Sequence, residues 1–440
     1  MATGITKKNW KEDTQIITDE LFHNSFDYEI NYKGKTPTNE LINLKPTQDY
    51  NRVFGNESEN LLFNGDNLDV LKHLIHKTDL KGKVKLVYID PPYGTNSVFQ
   101  SRSQKSSYKD DLVGSHFIEY IRRRLILLRE LLSDDGSIYV HLDNNMAFEI
   151  KVIMDEIFGA KNFKGFISRK KCSNKNYTKN TFGNISDYIL FYSKTENYVW
   201  NRATISWTEE KMKKEYPCID EETGRRFKKV PIHAPGIRNG ETGKPWRGKM
   251  PPEGKHWQYL PSKLDVFDAK GEIYWSSTGN PRRKVFFDKD KGVAVQDIWT
   301  DVQDSVNQNI KTTGYPTEKN PNLIERIIQA SSNENDYVLD CFAGSGTTLD
   351  VAKQLNRKWI GVDNSSEAIR HIFKRFFNGL KEMGDFVEKK APKNEIDQWK
   401  LFEPKTEYNS DSSKSRDFDF FADSRFEEEA HGIYEEFREE

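Results

Sequence analysis

Cysteine is scarce in this chain: Cys172, Cys218 and Cys341 stand far apart, with no Cys-x-x-Cys pair. That spacing excludes a disulfide framework and a cysteine-ligated structural zinc. Net charge is nearly absent as well, since 67 Lys and Arg against 68 Asp and Glu leave −1. No global basic excess marks a polyanion partner, so any nucleic-acid surface must arise from local charge separation. No apolar run reaches membrane-spanning length, and the opening residues MATGITKKNWKEDTQ hold no apolar core of a secretory signal. These absences predict a protein of the reducing cytoplasm, without a membrane partner and without a metal. The 440 residues leave room for two or three domains, or for one large core carrying insertions.

What is present centres on VYIDPPYG, Val87–Gly94. Leu86–Ile89 read as a buried parallel strand, apolar on both faces. Pro91 and Pro92 stop it, because neither can donate to a sheet ladder. Asp90 is thereby held at the carboxyl edge of a sheet, where open α/β folds keep their ligand sites. This arrangement suits the gripping of a planar exocyclic amine. Asp90 accepts one N–H, the Pro91 carbonyl accepts the other, and the Tyr93 ring stacks on the heterocycle. Two acceptors on one amino group draw its lone pair out of conjugation and make it a usable nucleophile.

The chain around this stretch alternates strand and helix. Residues 1–59 are polar and weakly periodic, an N-terminal extension. LLFNGDN, Leu61–Asn67, is a short strand before a helix over Leu68–His76. Asp66 there either caps that helix or hydrogen-bonds a base. Thr95–Gly114 reads as a lid. Phe117–Leu132 reads as an amphipathic helix whose Arg122, Arg123 and Arg124 form the solvated face. The strand Ser137–Leu142 and the helix Ala147–Phe158 follow, then strands at Phe163–Ser168 and Tyr188–Tyr192. Between those two, the acid-free run containing Lys170, Lys171 and Lys175 suits phosphate contact.

From about Trp200 to Gly314 the texture changes to Gly, Pro, Trp and basic residues, an inserted module. Trp207, Trp246, Trp257, Trp275 and Trp299 lie among Arg225, Arg226, Arg238, Arg247, Arg282 and Arg283. We read this as a DNA-reading surface, with the arginines on phosphates and base edges. Beyond it, Tyr337–Asp340 is a buried strand. DCFAGSGTT then turns through glycines into a helix, and Trp359–Val362 is a strand ending at Asp363. The glycine turn permits close approach of a ligand, and an acid one strand later meets ribose hydroxyls. No Gly-Lys-Ser/Thr follows that turn, which excludes a Walker phosphate loop, and the third glycine of a dinucleotide fingerprint is missing. An adenosine ligand fits, with Lys319, Thr347 and Thr348 available to a carboxylate. From about Phe386 the tail is polar and finally acidic, a helix or a disordered end.

DPPY with a downstream FAGSGTT resembles the amino-DNA methyltransferases that use S-adenosylmethionine. The order, catalytic motif first and cofactor motif last, is similar to the permuted β-class and to modification subunits of type III and type II restriction systems. YPTEKNPNLIERII resembles the block beside the cofactor pocket, although Tyr315 replaces the usual His and Asn320 replaces a Lys before Pro321. The resemblance covers about residues 60–200 and 315–380. It implies an α/β, Rossmann-like fold with a permuted, mixed seven-stranded sheet, the two halves of the methyltransferase domain spanning 60–200 and 315–382. The target-recognition insert is then 201–314, and the tail 383–440. By the same resemblance Asp90, Pro91, Pro92 and Tyr93 bind and activate the amine. Asp66, Asp340, Phe342, Ala343, Gly344, Gly346 and Thr347 border the cofactor, Asp363 meets its ribose, and Lys319 with Thr348 its carboxylate. Double-stranded DNA is the implied substrate, with adenine N6 as the acceptor and cytosine N4 as the alternative. A restriction subunit and a second copy of the chain are implied partners. A catalytically silent DNA-binding subunit, or methylation of RNA or of a glutamine, are rival readings.

Overall fold

The alternation of apolar strands with amphipathic helices assembles into a sheet flanked by helices, as such alternation requires. The structure, a computed structural model, describes residues 30–92, 98–100, 106–109, 114–173, 180–304, 311–312, 315, 318–379, 381–382 and 416–438. Among them, ten strands join in one mixed sheet. In chain order these are β1 (Tyr50–Phe54), β2 (Leu61–Asn64), β3 (Val84–Ile89), β4 (Leu132–Leu142) and β5 (Phe163–Lys170). They continue as β6 (Ser186–Ser193), β7 (Ile298–Trp299), β8 (Tyr337–Asp340), β9 (Lys358–Asp363) and β10 (Asp419–Asp423). The spatial order is β1-β10-β2-β9-β8-β3-β4-β6-β5-β7. The run from β10 to β4 is parallel throughout. β6 is antiparallel to both neighbours, β7 is parallel to β5, and β1 is antiparallel to β10.

The expected seven strands are therefore the inner part of a ten-stranded sheet. β1 comes from the N-terminal extension, β7 from the end of the insert, and β10 from the tail. The tail does hold a helix, Glu427–Arg438, but its strand was missed because polarity was averaged over a long segment. Five residues suffice for a strand, and Phe420 and Ala422 are fully buried in this one. The flanking carboxylates of Asp419 and Asp423 are matched by Arg52 at 3.1 Å and Arg425 at 2.6 Å.

β3 sits near the middle of the sheet and is buried along almost its whole length, as its unbroken apolar run requires. The helices α1 (Asn67–Lys77), α2 (Ser115–Leu131) and α3 (Ala147–Phe158) pack on one another and cover its core, with Ile121, Leu125 and Leu128 fully buried. A second group comprises α4 (Pro321–Ser331), α5 (Thr347–Gln354), α6 (Ser366–Phe373) and α7 (Glu427–Arg438). The arginines of α2 depart from the sequence reading. Arg122 and Arg124 are buried, not solvated. Arg122 donates to the Thr36 carbonyl at 2.7 Å, and Arg124 donates to Asn67 Oδ1 at 2.6 Å and lies 3.5 Å from the Tyr120 ring centre. Charge alone does not place a side chain outside when neighbouring segments supply acceptors to the guanidinium. In the stretch read as a lid, Val98–Gln100 and Ser106–Lys109 form an antiparallel pair.

Thr204–Val295 forms a second compact unit. Four of its strands form a sheet in the order Cys218–Ile219, Arg226–Pro231, Pro281–Phe286, Ile273–Trp275. The tryptophans read as DNA-facing build this unit's interior. Trp246 and Trp257 are buried beside Ile232, Leu264, Phe267 and Ile273, and Trp275 stacks on Trp246 at 5.3 Å. The indole N–H groups of Trp246, Trp257 and Trp275 are satisfied within the unit. Trp246 reaches Asp265 at 2.9 Å, Trp257 the Lys244 carbonyl at 3.0 Å, and Trp275 Asp268 at 3.1 Å. A unit with so little aliphatic sequence uses large aromatic area as its core instead. Trp257→Ala is expected to destabilise this unit by about 3–5 kcal/mol. The check is limited proteolysis with mapping of cuts, which should appear within Thr204–Val295; an unchanged cutting pattern would show that the indole is not a core element.

Candidate active site

Four acids gather where the parallel strands end. Asp90 follows β3, Asp340 closes β8, Asp363 closes β9, and Asp66 follows β2. These strands are adjacent in the order β2-β9-β8-β3, with Leu339 opposite Val87 in register. Two motifs separated by most of the chain thus meet at one sheet edge. The crowding has an electrostatic cost. Burial pushes the Asp340 carboxyl up to about 7, against the pull of hydrogen bonds from Thr348 and the Phe342 N–H, and Asp90 and Asp363 push the same way. Asp363 is likewise raised by burial. Among these four, Asp66 is the most open. It accepts from the Asp69 N–H at 3.1 Å and so caps α1, with Arg124 3.7 Å away.

The glycine turn is fastened from within. Gly344 (φ +51°) and Gly346 (φ +75°) take the left-handed conformation that β-carbons disfavour, and a β-carbon on Gly346 would fall 2.9 Å from Ile372. The Phe342 N–H donates to Asp340 Oδ1 at 3.0 Å, the Ala343 N–H to the Val362 carbonyl at 3.0 Å, and the Gly344 N–H to Asp363 Oδ2 at 2.9 Å. Asp363 also accepts from the Ser365 N–H at 2.9 Å, so both its oxygens hold backbone. Thr348 donates to Asp340 at 2.6 Å. With these N–H groups committed internally, the turn does not present the row of free donors that grips a phosphate. A β-carbon on Gly344 would enter the space before the Tyr315 ring, 3.4 Å away. Bare backbone beside an aromatic ring and a cluster of carboxylates fits a ligand that is flat at one end and positively charged.

Sequence reasoning missed Arg375. It is fully buried, donating to the Ser345 carbonyl at 2.8 Å, to Asp350 at 3.1 Å and to Thr347 at 3.1 Å, and it pairs with Glu318. It ties the turn to the residue beside Lys319. Nothing local marks it in the sequence, because its partners come from two stretches well before it, Glu318 and Ser345 to Asp350.

Asp90 itself has close neighbours that the sequence did not reveal. Lys319 Nζ lies 2.5 Å from its Oδ2. The lysine expected at the cofactor carboxylate is thus paired with the acid of the amine clamp. His141, on β4, places Nδ1 3.9 Å from Asp90 Oδ1 and 2.8 Å from the Tyr88 hydroxyl. Its Nε2 stands 2.9 Å from Asp187 Oδ2, at an angle too oblique for a well-aligned hydrogen bond. Arg169, also buried, lies 3.0 Å from the same oxygen and reaches the Val302 carbonyl at 2.7 Å. Burial would raise Asp187, but His141, Arg169 and Lys319 hold it well below the usual carboxylate range. The strand pattern SIYVHL does place His141 on the central sheet; only its partners were hidden.

Of the remaining expected residues, Pro91 is buried and Pro92 half-buried behind Asp90. Phe342 and Ala343 lie in the turn, Phe342 6.2 Å from the Tyr120 ring. Tyr93 and Lys175 lie outside the described residues. Lys170 and Lys171 are half-buried at the end of β5. In the second unit Arg225, Arg238 and Arg282 are exposed, and Arg226 is half-buried, 3.4 Å from the Tyr216 carbonyl. Arg247 pairs with Asp265 at 3.4 Å and with Asp268. Arg283 pairs with Glu272 at 3.3 Å and covers the Phe267 ring at 4.1 Å. These last two brace the unit.

A glycine turn and an Asp-Pro-Pro strand end on neighbouring strands are the arrangement expected of an enzyme that carries a group from a bound cofactor to an amine. Residues 84–374 match the DNA methylase family profile, and the chain belongs to that family. The type II methyltransferase M.EcaI of Enterobacter cloacae is 49% identical over 366 residues, covering 81% of this chain and 79% of that protein. The Mod subunit of the type III restriction-modification enzyme StyLTI of Salmonella typhimurium is 28% identical over 381 residues, covering 75% of this chain and 56% of that subunit. Among solved structures, the cytosine-N4-specific PvuII DNA methyltransferase covers 81% of this chain and 94% of its own at 15% identity, with a TM-score of 0.43.

The raised Asp340 carboxyl gives a signed pH dependence. The unfolded chain releases this proton near the ordinary aspartate value, the folded one near 7. The folded state therefore binds more protons in between, and stability is lost as pH rises from about 4 to about 7. Asp340→Asn should flatten that part of the slope in urea-unfolding midpoints measured across pH; an identical slope in the variant would place the titration elsewhere.

Proposed function

We propose that this DNA methylase is a site-specific methyltransferase acting on N6 of an adenine flipped out of double-stranded DNA, the modification enzyme of a restriction system. The observation that carries the reading is Asp90-Pro91-Pro92 standing one strand from the glycine turn at a shared sheet edge. The methyl donor is S-adenosylmethionine, which supplies a methyl on positively charged sulfur. The four acids of the edge suit that charge, and the bare turn at Gly344 beside Tyr315 leaves room for the adenosine end. Thr347 and Thr348 are committed to the turn itself, so Lys319 is the side chain left to meet a carboxylate. Asp90 accepts one amine hydrogen and the Pro91 carbonyl the other, and Tyr93 stacks on the base. Flipping is required because the amine is unreachable within a stacked duplex. Catalysis then comes from positioning and from the charge of Asp90 on the developing ammonium.

The second unit serves as the target reader, with Arg225, Arg226, Arg238 and Arg282 on DNA and Lys170, Lys171 and Lys175 on phosphates near the flipped base. Arg247 and Arg283 act indirectly, by fixing that unit. Modification alongside a restriction subunit, and assembly as a dimer, extend this reading by likeness to the named relatives.

The test is labelling of unmethylated genomic DNA with tritiated cofactor, followed by digestion to nucleosides. Label in N6-methyladenine supports the proposal, label in N4-methylcytosine establishes the alternative, and a protein that consumes no cofactor is a silent binding subunit. Asp90→Ala is expected to slow transfer by at least about 100-fold with cofactor affinity nearly unchanged in calorimetry. Near-normal turnover would remove Asp90 from the mechanism.

A further inference from the structure

Methylation of a neutral amine creates a proton that has to leave. The amine nitrogen bonds to the methyl carbon while the carbon–sulfur bond breaks with its electron pair on sulfur. The cationic nitrogen then sheds one hydrogen as a proton. Asp90 is the first acceptor, but a protonated Asp90 must be emptied before the next turnover, and it lies at a largely enclosed edge.

The groups around it differ in what they can take. Lys319, 2.5 Å from Oδ2, is an ammonium and has no lone pair to offer. Asp340 turns its two oxygens to the Phe342 N–H and the Thr348 hydroxyl. Tyr88 is a phenol that burial, Asp90 and Asp340 keep firmly protonated, so it can pass a proton along without keeping one. His141 is different. It is fully buried, its Nδ1 faces both the Tyr88 hydroxyl at 2.8 Å and Asp90 at 3.9 Å, and its Nε2 lies 2.9 Å from Asp187. Arg169, 3.0 Å from that Asp187 oxygen, keeps the acid ionised and in place. An imidazole between an acid that must unload a proton and a carboxylate that stabilises the resulting cation is arranged to receive one.

We propose that His141 is the proton acceptor behind Asp90, across the 3.9 Å between Oδ1 and Nδ1, with Asp187 beside Nε2 to stabilise the imidazolium. The proton leaves for water when the products do. His141 acts through Asp90 and does not touch substrate, so it is a positioning and proton-accepting residue. The inference rests on the amine-methylation reading and holds for adenine and cytosine alike.

The experiment is multiple-turnover methylation of unmethylated DNA with tritiated cofactor across pH, in the full chain and in His141→Asn. The groups facing His141 are Tyr88 and Asp90 on β3, Asp187 on β6, Arg169 on β5 and Lys319 before α4. Of these, the variant removes none. In the wild type the rate should fall on the acid side. His141→Asn should run at least about 10-fold slower, lack that acid limb, and keep its affinity for S-adenosylhomocysteine in calorimetry. Should the asparagine variant lose that affinity, His141→Gln carries the same comparison. A variant with the wild-type rate, or a slow one that retains the acid limb, overturns the role of His141 while leaving the methylase reading intact. A wild type that labels no DNA overturns both.

Discussion

Repulsion among carboxylates at the end of a parallel sheet is the constraint from which the rest of this structure follows. Four acids reach one edge because four neighbouring parallel strands all end there. Each is dealt with differently. Asp66 is left open and caps a helix, Asp363 is spread over two backbone N–H groups, Asp340 is kept near neutral by burial, and Asp90 is matched by Lys319. The outcome is a site whose residual field favours a cation and whose chemically active acid is paired with Lys319.

Buried arginines do much of the fixing. Arg375 holds the glycine turn, Arg169 holds Asp187 and the Val302 carbonyl, and Arg124 links Asn67 to Tyr120. A planar guanidinium with five donors can tie three or four segments at one point, which a lysine cannot. Removing one partner from such a buried pair costs about 3–5 kcal/mol, far more than the pair contributes over an apolar equivalent. The arginines therefore act as conditions on geometry more than as sources of stability.

Much of the site could be read from the chain because its motifs are local. Asp90 after an apolar strand, the glycines after Asp340 and Asp363 after the next strand all appear where strand-then-turn reasoning puts them. What stayed hidden about the charged groups depended on partners distant in sequence. Arg122 and Arg124 look solvated on a helical wheel until Thr36, Asn67 and Tyr120 are brought beside them. The pairing of Lys319 with Asp90 spans most of the chain. The tryptophans of the insert were taken for a reading surface because composition does not distinguish an aromatic exterior from an aromatic interior. β10 was lost because the average over a polar tail conceals a short run around Phe420.

That strand lies between β1 and β2, although it comes near the end of the sequence while they come near the start. During synthesis, the early strands emerge first and cannot pair with each other. Each waits with an unfilled edge until residue 423 has left the ribosome. Closure of the sheet is thereby tied to the emergence of residues 419–423, and a nascent chain halted before them would carry two exposed strand edges open to pairing with another chain.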